Sequence, residues 1–219
     1  MEKKDYLIVL DTETTNSLEE PLCYDVGFAV VDTEGNVFER YSFVVKEIFF
    51  DENLMNFAYF SDKIPQYFSD ILNCKRSVKT FLEIRRILMD CIYRYNILVI
   101  SAHNAVFDKL SLTLTLKYIT KSKMRYFFPK RVEIWDTLKM SREVLNKSEE
   151  YKDFCVKNEY LTKTGCKKFT AEVVFRFLTN NVEFVESHTG LEDVLIEKDI
   201  FAFCFLKNPD IDGILGKRA

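Results

Sequence analysis

An α/β domain built on a five-stranded mixed sheet flanked by helices is what this sequence predicts, on three observations. Short apolar runs of strand length alternate with longer segments of helical period. The second and third runs are joined by the five-residue polar link Asp32-Thr33-Glu34-Gly35-Asn36, a hairpin signal. And 219 residues with 47% hydrophobic and 15% aromatic content supply the apolar surface of one sizeable core. The expectation is therefore a single domain over residues 1–219.

The elements follow in order. Tyr6 to Leu10 is apolar throughout and reads as a strand buried on both faces. Cys23 to Val31 and Val37 to Val45 are the antiparallel pair around the hairpin link. From Lys46 to Tyr95 the pattern is helical, with Phe81, Ile84, Leu88 and Ile92 at intervals of three and four. Ile97 to Ser101 is a short strand. In Ala105 to Ile119 the alternation of Leu110, Leu112, Leu114 and Leu116 favours a strand, but the length of the segment after a strand end argues for a returning helix. Val132 to Trp135 is the fifth strand, and a helix runs from Thr137 to about Asn146. Asn158 to Lys168 reads as a short hairpin or loop, and Glu172 to Leu178 and Gly190 to Phe205 as helices.

Composition excludes several classes. A formal charge of −3 argues against a protein that holds nucleic acid through bulk positive charge, though not against one that handles it locally through cations. The six cysteines form no CxxC pair, so neither a zinc ribbon nor a disulfide framework is expected, Cys155 and Cys166 included. MEKKDYLIVL is too short in apolar residues for a secretory leader, and no run approaches the ~18 apolar residues of a membrane span. The expectation is a soluble, cytoplasmic protein without membrane contact. With six glycines there is no phosphate-cradling glycine loop, so phosphate handling would fall to metals or side chains.

Three places carry candidate chemistry. The first strand runs into Asp11-Thr12-Glu13-Thr14-Thr15. Residues i and i+2 of an extended chain project to one side, so Asp11 and Glu13 share a space at a strand end. Two such carboxylates repel unless protonated or bridged by a hard cation such as Mg²⁺; taken alone, the pair also suits a helix cap or a solvated turn. After the strand Ile97 to Ser101 comes His103-Asn104-Ala105-Val106-Phe107-Asp108, in which Asn104 and Asp108 share a helix face, or Asn104 is an N-cap with an exposed acid one turn on. His188 and Asp193 then stand five apart at the start of the last helical segment, facing one spot or forming a surface histidine with an N-terminal acid.

Taken together, the ordered motifs D-x-E, N-x-x-x-D and H-x-x-x-x-D resemble the DEDDh family of 3′-5′ exonucleases, of ribonuclease H-like fold. This family includes proofreading subunits of bacterial replicative DNA polymerases. Asp25 to Asp32 resembles its second strand, and Ile134-Trp135-Asp136-Thr137-Leu138 its fifth strand and following helix start. The third motif departs from the family's usual H-x-A-x-x-D followed by Ala, having Gly190 and Val194 at packing positions, which puts loop geometry in question and not the ligands.

The resemblance implies release of nucleoside 5′-monophosphates from the 3′ ends of DNA or RNA by two Mg²⁺ or Mn²⁺ ions about 3.5–4 Å apart. It implies that Asp11 bridges both ions, that Glu13 and Asp193 complete the nucleophile-side ion, that Asp108 binds the other, and that His188 is the general base. Thr12, Thr14 and Thr15 would border the terminal nucleotide, with Asn104 and Phe107 nearby. The implied partners are a single-stranded or frayed 3′ end and, for proofreading, a DNA polymerase chain. An RNA-directed exoribonuclease or oligoribonuclease, or a catalytically silent nucleic-acid or polymerase-binding module, are the alternatives; oligomeric state is not legible.

Two further features stand outside these motifs. Lys117 to Arg131 interleaves Lys117, Lys121, Lys123, Arg125, Lys130 and Arg131 with Tyr118, Tyr126, Phe127 and Phe128, which suits either nucleic-acid contact or a solvated loop packed by its aromatics. His103 is expected to be structural, hydrogen-bonded at a strand end.

Overall fold

The computed structural model describes residues 6–211; residues 1–5 of the MEKKDYLIVL stretch lie outside the described part. Its centre is a mixed sheet of six strands in the order β4-β3-β2-β1-β5-β6. β1 (Tyr6–Thr15), β2 (Leu22–Asp32) and β3 (Val37–Val45) form an antiparallel meander. β4 (Ser77–Lys79) joins β3 in parallel, β5 (Val99–Ala102) joins β1, and β6 (Glu133–Asp136) joins β5. The β2–β3 turn forms as expected: Asp32 Oδ1 accepts the N–H groups of Glu34 at 3.1 Å and Asn36 at 2.9 Å, and Gly35 takes φ 84°.

Alternation along the central strands sends side chains into two cores. Ile8, Leu10, Phe28 and Val30 pack against α4 (Phe81–Arg94) and α5 (Ala105–Thr120). Leu7, Val9, Ala29 and Val31 pack against α6 (Thr137–Leu145), α8 (Ala171–Thr179) and α9 (Gly190–Lys207). A strand covered on both faces is continuously apolar, which explains Tyr6 to Leu10. α4 starts at a capping box in which Thr80 Oγ1 accepts the Glu83 N–H and Glu83 Oε2 accepts the Thr80 N–H.

The structure corrects the expected elements in three places. The sheet has six strands and not five, because β4 lies within the stretch read as helical from Lys46 to Tyr95. That stretch otherwise holds α1 (Lys46–Phe49), α2 (Glu52–Met55), a 3₁₀ turn at Ser61–Lys63, α3 (Ile64–Leu72) and α4. A three-residue edge strand is too short to show a period. Second, β1 does not stop at Leu10 but continues through Thr15, paired with β2 throughout. Third, α7 (Glu149–Lys157), capped by Ser148 Oγ on the Tyr151 N–H, was not foreseen.

The returning helix expected over Ala105 to Ile119 forms as α5, but the leucine alternation is not its buried pattern. The core positions are Ser111, Leu112, Thr115 and Leu116, a helical stripe in which two polar residues interrupt the apolar signal. Both hydroxyls are satisfied locally: Ser111 Oγ donates to the Phe107 carbonyl at 2.7 Å and Thr115 Oγ1 to the Ser111 carbonyl at 2.7 Å. Residues 158–168 form a turn closed by a single Leu161–Lys167 bridge, with Gly165 at φ 79°. All six cysteines are free, and among the described residues no helix is long and apolar enough to cross a membrane.

Candidate active site

The site arises where β1 outruns one of its neighbours. β1 pairs in parallel with β5 only at Ile8 and Val9, whereas on its other edge it follows β2 through Asp11↔Gly27 and Glu13↔Asp25. Beyond Val9 the β5 side of β1 is therefore open, and the chain leaves β5 at Ala102 to begin α5. Such a crevice beyond the ends of parallel strands is the usual location of sites in open α/β sheets. By alternation Asp11 and Glu13 lie on the face covered by α9, and Thr12 on the face covered by α5.

Asp108 enters from α5, one turn inside the helix and 4% exposed, and its Oδ1 accepts a hydrogen bond of 2.9 Å from Thr12 Oγ1. Asn104 stands at the start of α5, but its side chain makes no capping bond. Its left-handed φ of 66° is the conformation Asn tolerates well, and its own N–H donates to Asp136 Oδ1 at 3.0 Å.

Asp193 and His188 arrive with α9. Asp193 is 4% exposed, and its Oδ2 accepts the Thr189 N–H at 3.0 Å, a local cap. His188 takes φ 55° and stacks on Phe60, ring centroids 4.2 Å apart and 6° from parallel. Gly190, the departure noted in the sequence, has a steric reason. A Cβ on Gly27 would lie 2.2 Å from the Gly190 carbonyl carbon, and one on Gly190 would lie 2.7 Å from the Gly27 nitrogen. The pair of glycines lets α9 begin directly on the β2 backbone.

A buried ionic network fixes that contact. Asp25 Oδ2 accepts the Gly190 N–H at 2.9 Å, the Tyr67 hydroxyl at 2.6 Å and Arg76 Nη1 at 3.1 Å. The same guanidinium reaches Ser42 Oγ at 2.9 Å, Asp70 Oδ2 at 3.2 Å and Glu192 Oε2 at 2.7 Å. Arg76→Met would leave buried Asp25 without its cation and Asp70 with Lys75 alone at 3.7 Å, so it is expected to cost about 3–5 kcal/mol in urea unfolding. A loss below about 1 kcal/mol, the range of an exposed pair, would show that the network does not hold α9.

These elements bring Asp11, Glu13, His188 and Asp193 to one cleft of about 970 Å³, together with Thr12, Thr14, Asn104 and Phe107, while Asp108 lies behind its wall, hydrogen-bonded to Thr12. Thr15 is not on its wall: it is buried and its hydroxyl donates to the Leu54 carbonyl. Carboxylate oxygens of Asp11, Glu13 and Asp193 all lie within 4.8 Å of one another. Burial is the main cause of their electrostatics. It lifts Glu13 to about 9, Asp193 to about 8 and Asp108 to about 7, with neighbouring acids adding at each. Asp11 is raised well above the usual carboxylate range, by burial and then by the charges of Glu197, Asp108, Glu13 and Asp193.

The donor set fits a hard divalent cation. It is all carboxylate, and Asp11 Oδ2 is buried with no hydrogen-bond partner. Burial lowers the His188 imidazole, keeping it neutral at neutral pH.

Several residues of the cleft were missed in the sequence. Glu197 is buried on α9, and Glu186 lies close enough to His188 and Asp193 for one ion to touch all three. Glu197 was legible in principle, because the buried stripe of α9 runs Asp193, Ile196, Glu197, Ile200, Phe201, Cys204, and an acid there is anomalous. The sequence also gives this helix an apolar face at Val194, Leu195, Ile200 and Phe203, of which Val194 and Ile200 are buried. Arg142, Lys167 and Lys168 line the end of the cleft formed by α6 and the 158–168 turn.

By contrast, no residue of the basic stretch from Lys117 to Arg131 lines the cleft. Phe127 of that stretch packs against Phe81, and Lys121 and Arg131 lie over Tyr118 and Tyr93. His103 is structural as expected. Its Nε2 lies 2.8 Å from the Phe169 carbonyl, which only accepts, so Nε2 carries the proton and Nδ1 faces Thr137 Oγ1 at 3.0 Å.

No protein-family model matches the chain, and no curated protein matches it in sequence. Solved structures do match. The chain is similar to exonuclease X in complex with 5′-overhanging duplex DNA, with a TM-score of 0.51 and 15% identity over 93% of each chain. It is also similar to the zinc-bound E. coli exonuclease I complex with single-stranded DNA, with a TM-score of 0.63, 14% identity and 94% of this chain covered. A moderately thermophilic exonuclease I from Methylocaldum szegediense gives a TM-score of 0.62, 14% identity and the same 94% coverage. The chain spans 42% and 41% of those two exonuclease I chains. At such identities the likeness establishes a shared fold.

Proposed function

We propose that this chain is a metal-dependent 3′-5′ exonuclease acting through a single domain, with the five residues Asp11, Glu13, Asp108, His188 and Asp193 as its machinery. The observation that carries this reading is the convergence of three separate sequence motifs in one cleft, with the Asp11, Glu13 and Asp193 oxygens within 4.8 Å of one another. Two of the structural relatives are recorded with DNA, which supports a DNA 3′ end as the substrate class.

Asp11, Glu13 and Asp193 would hold one Mg²⁺ or Mn²⁺ ion, and Asp11 with Asp108 a second. Bound there, such ions supply charge neutralisation on the phosphate and acidify the attacking water. Thr12 holds Asp108 in place through its hydroxyl. His188, neutral and fixed by Phe60, would accept the proton of the attacking water as its oxygen bonds to phosphorus. The bond from phosphorus to the 3′ oxygen of the preceding nucleotide breaks, that oxygen takes a proton from solvent, and a nucleoside 5′-monophosphate leaves. Thr14, Asn104 and Phe107 border the space for the terminal nucleotide. Arg142, Lys167 and Lys168 give the far end of the cleft the positive charge that upstream phosphates require, on a chain of net charge −3.

The test is release of label from 3′-labelled and 5′-labelled single-stranded DNA and RNA with Mg²⁺ or Mn²⁺. Mononucleotide is expected from the 3′ label first, and chelation is expected to stop it. His188→Asn is expected to lower the rate by roughly 10²–10⁴-fold and to flatten the acid limb of the pH profile. That limb should lie below about pH 6.5, the ordinary imidazole value, because burial lowers the His188 pKa. Internal cleavage, or equal rates in the presence of chelator, would rule the reading out.

A further inference from the structure

We propose, resting on the nuclease reading above, that Glu197 is a fifth carboxylate of the metal site and serves the ion between Asp11 and Asp108 through that ion's water shell. Glu197 stands one turn beyond Asp193 on the same face of α9, lines the same cleft and is 2% exposed. Its one described hydrogen bond is to Oε2, from the His103 N–H at 3.2 Å. This bond fixes the side chain at the junction of β5 and α5, beside the helix that carries Asp108.

A buried glutamate normally has a cation or several donors. Among the described residues no lysine or arginine pairs with Glu197, and the charges that act on it are those of Asp108, Asp193 and Glu186. Conversely, Glu197 is the charge that acts most strongly on Asp11. Asp11 in turn keeps Oδ2 buried and without a hydrogen-bond partner, an acceptor that a cation would satisfy. Glu197 does not belong to the carboxylates whose oxygens approach within 4.8 Å, so contact through a coordinated water suits it better than direct ligation. Mg²⁺ retains several waters in such sites.

The competing explanation is a protonated glutamic acid that merely accepts the His103 N–H. Glu197→Gln separates the two, since the amide oxygen keeps that acceptor and the charge is gone. Calorimetric titration with Mn²⁺ at mildly alkaline pH, on wild type, Glu197→Gln and Asp11→Asn, is the experiment. Glu197→Gln is expected to weaken Mn²⁺ binding by roughly 10–100-fold, or to abolish one of two binding events. It should also melt at or above wild type when metal-free, because it removes a buried charge. Wild-type Mn²⁺ affinity in Glu197→Gln, or a lower metal-free melting temperature, overturns the assignment. If Asp11→Asn loses the ions and Glu197→Gln keeps them, the role of Glu197 alone falls. A wild-type chain that binds no Mn²⁺ overturns this inference and the nuclease reading together.

Discussion

Asp11→Asn is expected to reduce exonuclease turnover by on the order of 10³-fold or more at saturating Mg²⁺, while the protein remains folded. Asp11 is the only one of the five machinery residues assigned to both ions in the proposed function, so its loss cannot be offset by the others. The substitution preserves shape and deletes a charge that burial and four neighbouring acids already disfavour. The measurement is a single-turnover rate on a 3′-labelled oligonucleotide, with circular dichroism to establish the fold. A variant that retains more than about a tenth of the rate would be inconsistent with a group in direct contact with both ions. Asp11→Asn should also raise metal-free stability, because at this position stability and function oppose each other.

The acids at the end of the first strand were legible because extended chain has a period of two, which places Asp11 and Glu13 together whatever surrounds them. His188 and Asp193 were legible because they flank a helix start. Even where the strand boundary was misjudged, as in β1 running on to Thr15, the side assignment survived, since it depends on alternation and not on where the strand stops. What escaped notice depends on distant packing. Arg76 lies in a loop without periodicity, yet it joins Asp25, Asp70, Ser42 and Glu192 from four parts of the chain. β4 exists because β3 offers it an edge, and its three residues carry no pattern of their own. Glu197 and the Ser111 and Thr115 positions of α5 share one difficulty: each is a polar residue on a buried stripe, so hydropathy shifts the apparent face.

The metal-free protein is expected to lose stability steadily as pH rises from about 5 to about 9, opposite in sign to the acid denaturation typical of proteins with paired carboxylates. A carboxyl group with a raised folded-state pKa holds its proton more tightly folded than unfolded. Its contribution is complete below the unfolded value of about 4 and disappears as pH passes through the folded value. Those folded values are about 7 for Asp108, 8 for Asp193 and 9 for Glu13, which sets the window. The groups interact, so their effects do not add, and a total on the order of 3 kcal/mol is expected, or roughly 6–12 °C in Tm for a chain of this size. Divalent ions bind only the deprotonated carboxylates of the folded state, so the rise in Tm produced by Mg²⁺ should grow over the same window. Thermal unfolding in chelator and in Mg²⁺ at several pH values tests both trends, and a metal-free Tm that is flat or rising above pH 6 would mean that these acids are not held together as the cleft holds them. Asp11→Asn, with one fewer charge in the cluster, should show the shallower slope.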